Sequence, residues 1–170
     1  MKAYELFRRM GSDEIDTLVL TACEDDDLPD KLAGGVLQYQ AIPLKRFTKM
    51  TEDARRAYVR RTLRDKRATD LALYVLSAGL TRAKADMISA FLDAVGLPHE
   101  GASLSFENEI PEPAGDVVSK GIDAVLEKFP ARDVALYLHA FGSQPDVHWK
   151  SLESKLESDA RLAFEDRSAD

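Results

Sequence analysis

The chain has 170 residues, of which 45% are hydrophobic and 31% charged, and its formal net charge is −7. This composition is typical of a globular protein that buries its own core as one domain. The single cysteine, Cys23, excludes an internal disulfide framework and a multi-cysteine zinc site. No apolar run approaches the roughly 20 residues of a membrane span, and the N-terminus lacks the apolar stretch of a signal peptide. We therefore expect a cytoplasmic protein without a membrane partner.

Helical periodicity dominates the first part of the chain. Thr51 has the residue type of a helix N-cap, and two carboxylates follow it in the first turn, where the helix dipole favours negative charge. The predicted helices of this part are Ala3–Met10, Asp13–Cys23, Pro29–Tyr39 and Thr51–Asp65.

Two segments are apolar on nearly every side, Asp70–Ala78 and Asp133–Phe141. Periodicity alone does not separate a buried strand from a buried helix in such a run. Their alanines and leucines, the leading aspartates and the closing Gly79 and Gly142 favour helices. A helix without a polar face needs partners all round, so we expect both segments in the interior.

Two amphipathic helices follow the apolar segments. Arg82–Val95 carries one apolar stripe and should end at Gly96. Pro145–Glu157 begins with a proline, which favours the first turn of a helix. The only strand-like alternation is Ser103–Phe106.

An internal similarity organises residues 51–157 of the chain. A shift of 63 residues aligns Ala68–Tyr74 with Ala131–Tyr137, and five of the seven positions are identical. We interpret this as a duplicated unit of three helices, with chance similarity between apolar helices as the alternative. The predicted segments are N-terminal helices at 1–50, unit 1 at 51–97, an acidic connector at 98–113, unit 2 at 114–157 and a polar tail at 158–170.

These patterns predict an all-α, single-domain protein of about eight to ten helices built around the duplicated unit. The first fifty residues are either a degenerate third copy or a capping element.

Charge is distributed very unevenly along the chain. The basic segment Lys45–Arg67 has a local net charge of +7, whereas the remainder has −14. At helical spacing, four arginines form a row on one face of the predicted helix: Arg56, Arg60, Arg64 and Arg67. Four guanidinium groups one turn apart repel one another unless an anion lies among them. The row therefore predicts a binding site for an acidic partner protein.

Other interpretations of the row stay open. It can be a solvated helix face, it can pair with the acid-rich C-terminal half, or it can bind nucleic acid. The net charge and the absence of stacking aromatic residues within the row make nucleic acid a weaker alternative. Arg55 lies on the apolar side of the same helix, where it either extends to the surface or points inward and is paired at a subunit or ligand contact.

Catalytic and cofactor motifs are missing from the sequence. It contains no nucleophile elbow, no phosphate-binding glycine loop and no metal-binding histidine pattern. His139, inside an apolar helix, is interpreted as a core histidine, and the acidic run Glu24–Asp27 as a solvated loop and not a calcium loop. A small-ligand cleft between the two units, where Tyr74, Tyr137 and His139 would face one another, is the remaining alternative. We therefore expect a non-catalytic interaction protein without a cofactor or metal.

Overall fold

The computed structural model describes residues 1–24, 27–104 and 109–169, and these residues are almost entirely helical. The prediction of an all-α fold is confirmed. The α-helices are α1 (Ala3–Arg9), α2 (Ser12–Ala22), α3 (Leu28–Tyr39), α4 (Leu44–Phe47), α5 (Glu52–Leu63), α6 (Thr69–Ala83), α7 (Ala85–Val95), α8 (Gly115–Leu126), α9 (Ala131–Phe141) and α10 (Lys150–Ser158). Short 3₁₀ helices lie at Lys66–Ala68 and Ala160–Leu162.

A short antiparallel hairpin follows α7. Its strands are β1 (His99–Glu100) and β2 (Ser103–Leu104), and Gly101 turns between them with a φ of 59°. The predicted strand Ser103–Phe106 therefore starts at the correct residue, while Phe106 lies outside the described residues.

Two local sequence signals are confirmed at helix ends. The Thr51 hydroxyl accepts a hydrogen bond of 3.3 Å from the backbone N–H of Ala54, so Thr51 is the N-cap of α5. Gly96 takes the left-handed conformation at the end of α7, with a φ of 71°.

Three predicted helix ends are wrong. Helix α6 continues through Gly79 to Ala83, because the glycine gives room to the neighbouring Leu18 and does not terminate the helix. The predicted helix Arg82–Val95 is interrupted at Lys84, which has a non-helical φ of −132°. Helix α10 starts at Lys150, so Pro145 precedes it instead of occupying its first turn.

The chain divides into two compact units, and the boundary lies within α6. The N-terminal unit consists of Lys2–Gly79 and the residues from Asp166 onward. In it, α5 packs against α1, α2 and α3, and the Arg167 backbone N–H donates a 2.8 Å hydrogen bond to the Arg9 carbonyl. The core side chains of this unit include Leu6, Phe7, Met10, Ile15, Leu28, Leu32, Leu63 and Leu76.

The other unit, Leu80–Glu165, is built on the packing of α7 against α8. An aromatic cluster fills its core, with ring centroids 5.0 to 6.1 Å apart. The members of the cluster are Phe91, Tyr137, Phe141 and Trp149. Every residue from Val134 to Phe141 is buried, so the predicted interior position of α9 is confirmed. The same prediction for Asp70–Ala78 is wrong, because Asp70 and Tyr74 are exposed and most of the other side chains are only half-buried.

The duplication is not confirmed by the structure. The aligned tyrosines have different surroundings, since Tyr74 is 37% exposed and Tyr137 only 7%. The predicted segments 51–97, 98–113 and 114–157 do not coincide with the two compact units described above. The predicted segments stay a prediction. Among the described residues, no helix combines the length and the apolar character needed to cross a membrane.

Candidate interaction surface of the N-terminal unit

The first two arginines of the row meet a carboxylate from helix α2. The Arg60 guanidinium donates hydrogen bonds of 2.7 and 2.9 Å to the two oxygens of Asp16, and both side chains are about four-fifths buried. Arg56 lies 3.9 Å from the same carboxylate and donates a hydrogen bond to Glu52, one turn earlier on α5. Asp16 therefore supplies the anion that two neighbouring guanidinium groups need.

The third arginine binds backbone carbonyls at the end of α1. Arg64 donates hydrogen bonds to the carbonyls of Phe7, at 3.1 Å, and Met10, at 2.9 Å. Its pKa is lowered by partial burial and by the nearby Arg60. Arg64 thus ties the C-terminal end of α5 to α1.

The fourth arginine follows α5 in the 3₁₀ helix. Arg67 forms an ion pair of 2.6 Å with Asp65 and donates a 3.0 Å hydrogen bond to the Tyr39 carbonyl. Hydrogen bonds from the Arg67 side chain and backbone lower the pKa of Asp65 to about 2. All four arginines of the row therefore have partners within the N-terminal unit.

Internal pairing was one of the alternatives for the row, with the acid-rich C-terminal half as its expected source. Among the described residues, the carboxylates that form ion pairs with the row are Glu52 and Asp65 in the basic segment and Asp16 on α2. Asp166, from the C-terminal half, adds a favourable electrostatic interaction with Arg64. The binding of an acidic partner by this row stays a prediction.

The other cations of the basic segment are exposed. None of their side chains forms a hydrogen bond or an ion pair with any residue that the structure describes. These unpaired cations are Lys45, Arg46, Lys49, Arg55, Arg61 and Lys66. The sequence analysis identified all ten basic residues of the segment, but helical spacing alone did not show which of them have intramolecular partners.

Three of the unpaired cations lie close together on α4 and the turn after it. Lys45, Arg46 and Lys49 fall within five residues of each other. Leu44, the first residue of the same helix, is 62% exposed. This short segment therefore presents an apolar side chain beside three positive charges.

A groove lies between α2 and α5. It encloses about 320 Å³ and is lined mainly by apolar surface from Val19, Leu20 and Val59. Leu20 is 59% exposed. Four charged residues complete the lining: Asp16, Glu52, Arg55 and Arg56. The first alternative for Arg55 is confirmed, because this side chain extends to the surface.

The tyrosines and the histidine of the alternative cleft have separate surroundings. Tyr74 belongs to the N-terminal unit, where the Lys31 ammonium lies 4.6 Å from the centroid of its ring. Tyr137 belongs to the other unit and packs against Phe91, and burial raises the pKa of its hydroxyl. His139 is 6% exposed, and its Nε2 hydrogen-bonds to the Leu162 carbonyl, so its interpretation as a core histidine is confirmed.

The remaining candidates from the sequence carry no site geometry. Asp25 and Asp26 of the acidic run lie outside the described residues. Within the described part of the chain, no cluster of three or more histidine, cysteine or carboxylate side chains is arranged to hold a metal ion. Burial raises the pKa of the Cys23 thiol, which lowers its reactivity.

No known protein family, curated protein or solved structure is significantly similar to this chain.

Proposed function

We propose that this protein is a non-catalytic interaction module that binds an acidic surface of a partner protein. The observation that supports this function is the set of exposed cations between Lys45 and Lys66 without a partner among the described residues. Arg56, Arg60, Arg64 and Arg67 stay candidates for the same surface. Their guanidinium groups already have intramolecular partners, so a new carboxylate competes with existing bonds there.

The segment around α4 is the strongest part of this surface. Lys45, Arg46 and Lys49 attract a carboxylate-bearing surface, and clustered cations speed the encounter with such a surface at low ionic strength. The exposed Leu44 beside them adds apolar contact area. An acidic partner with some apolar surface matches both properties.

Salt dependence and charge removal test the proposal together. The probes are a labelled peptide of alternating glutamate and leucine, and labelled single- and double-stranded DNA of matched charge. We expect the peptide to bind more weakly as salt rises from about 50 to about 200 mM, because ions screen exposed charges. Changing Lys45, Arg46 and Lys49 to glutamine should weaken peptide binding about tenfold.

The matched control removes the same charge from the other unit, by changing Lys120, Lys128 and Lys150 to glutamine. This variant should bind the peptide within about twofold of the original chain. An affinity for the peptide that does not depend on the salt concentration would contradict the proposal, as would an equal loss of affinity in both triple variants. Tighter binding to DNA than to the peptide would also contradict it and would favour a nucleic-acid partner.

A further inference from the structure

We propose that the groove between α2 and α5 seats an apolar side chain of the acidic partner, while a carboxylate of the same partner segment pairs with Arg55. This inference rests on the proposed function and specifies where the partner docks. It starts from the lining of the groove, which combines apolar side chains with one charge that lacks a described partner.

The apolar part of the groove is open to a ligand. Val19, Leu20 and Val59 form it, and more than half of the Leu20 surface is exposed. Its volume of about 320 Å³ lies at the lower end of the range of ligand clefts, which suits a few side chains better than a large cofactor. An apolar anchor would remove this surface from water.

The charged residues of the groove favour a negatively charged ligand group over a positively charged one. Asp16 lies between Arg56 and Arg60, and Glu52 accepts a hydrogen bond from Arg56, so both carboxylates already face guanidinium groups. Arg55 has no such counterpart among the described residues. A ligand carboxylate therefore gains a charge-assisted, bidentate bond, whereas a ligand cation must compete for occupied carboxylates.

The position of the groove between two helices suits an amphipathic helix of the partner. Such a helix places an apolar residue and a carboxylate on one face when they are three or four positions apart. The partner segment that we propose is therefore a leucine-type anchor with an aspartate or glutamate one turn away. A second copy of this chain is the main competing occupant.

Two substitutions separate the two parts of the groove. Arg55→Gln removes the unpaired charge, and Leu20→Asp adds a negative charge at the apolar rim without disturbing a buried residue. Lys128→Gln is the control for loss of one positive charge, because Lys128 is exposed and lacks a described partner but lies in the other unit, outside the set of cations assigned to partner binding. Lys128 is not part of the groove lining.

The experiment is a selection from a randomised displayed peptide library against the full-length chain, followed by affinity measurements on the enriched peptides. We expect enriched sequences with an apolar residue three or four positions from a carboxylate. Arg55→Gln should weaken their binding about tenfold, and Leu20→Asp at least as much. Lys128→Gln should change it less than about twofold.

Other outcomes would overturn the groove proposal in distinguishable ways. Enriched acidic peptides that bind the Arg55→Gln and Leu20→Asp variants normally, but lose affinity for the Lys45, Arg46 and Lys49 triple variant, would refute the groove and leave the proposed function intact. Neutral or basic enriched peptides, or no enrichment, would refute both. A concentration-dependent dimer that Leu20→Asp dissolves would assign the groove to a second copy.

Discussion

Substituting Gly79 by alanine tests the close packing of α6 in the N-terminal unit. A Cβ atom at this position would lie 2.6 Å from Leu18 Cδ1 and 2.9 Å from the Leu18 carbonyl oxygen. Leu18 is itself buried, and the backbone oxygen belongs to α2, so neither atom can move away freely. The added methyl group must therefore displace one helix from the other.

Two opposing terms set the magnitude of this effect. Replacing a glycine inside a helix by alanine favours the folded state by about 1 kcal/mol. Overpacking a well-filled core costs about 1 to 3 kcal/mol, and a contact with fixed backbone belongs in the upper half of that range. We expect Gly79→Ala to lower the free energy of unfolding by about 1 to 2 kcal/mol.

Gly34 is the matched control for this substitution. It lies inside α3, and nothing comes within 4 Å of a Cβ built there. Gly34→Ala should therefore raise the free energy of unfolding by about 0.5 to 1 kcal/mol, since only the backbone term remains. Because the two effects have opposite signs, the free energies of unfolding of the two alanine variants should differ by about 1.5 to 3 kcal/mol.

Urea unfolding followed by far-ultraviolet circular dichroism measures both variants. This signal reports on helices throughout the chain, whereas the fluorescence of Trp149 reports on the unit that does not contain Gly79. A Gly79→Ala variant at least as stable as the original chain would refute the packing argument. A destabilised Gly34→Ala variant would refute the assumption that propensity dominates where space is open.

Three further predictions concern single contacts. A double-mutant cycle of Asp16→Asn and Arg60→Gln, followed by urea unfolding, should give a coupling of about 1 to 2 kcal/mol, and a coupling near zero would contradict the described ion pair. Thr51→Ala should cost about 1 kcal/mol through loss of the N-cap of α5, whereas Thr51→Ser should cost much less in the same assay. Hydrogen bonds from His99 to Asp93 and to a backbone carbonyl raise the pKa of the His99 ring. The contribution of protonated His99 to the stability of the fold is therefore complete below the ordinary histidine pKa of 6.5, and it is lost as pH rises through the raised pKa. In an NMR titration, Asp93→Asn should lower the pKa of His99.

Signals that act within one helix were readable in the sequence. The Thr51 cap, the Gly96 end and the buried helix α9 all follow from residue types a few positions apart, because capping and helical periodicity are local. The end of α6 was missed for the opposite reason. Gly79 looks like a terminator in sequence, but its role depends on Leu18, which is distant in the chain.

For the candidate surface too, some features could be predicted from the sequence and others required the structure. The excess of cations between Lys45 and Arg67 and the helical row of arginines were visible in the sequence. The sequence did not show which cations are paired, because pairing depends on contacts such as the one between Arg60 and Asp16, which are 44 residues apart in the chain. The groove beside Arg55 likewise needs two helices that are separate in the chain.

The sequence by itself therefore determined the all-α class, most helices and the place where positive charge is concentrated. These properties depend on composition and on the period of 3.6 residues, which neighbouring residues carry among themselves. Only the tertiary structure decided that Asp16 contacts Arg56 and Arg60, and that Arg55 lines an open groove. Electrostatic pairing depends on distance in space, and α2 lies against α5 only in the folded chain.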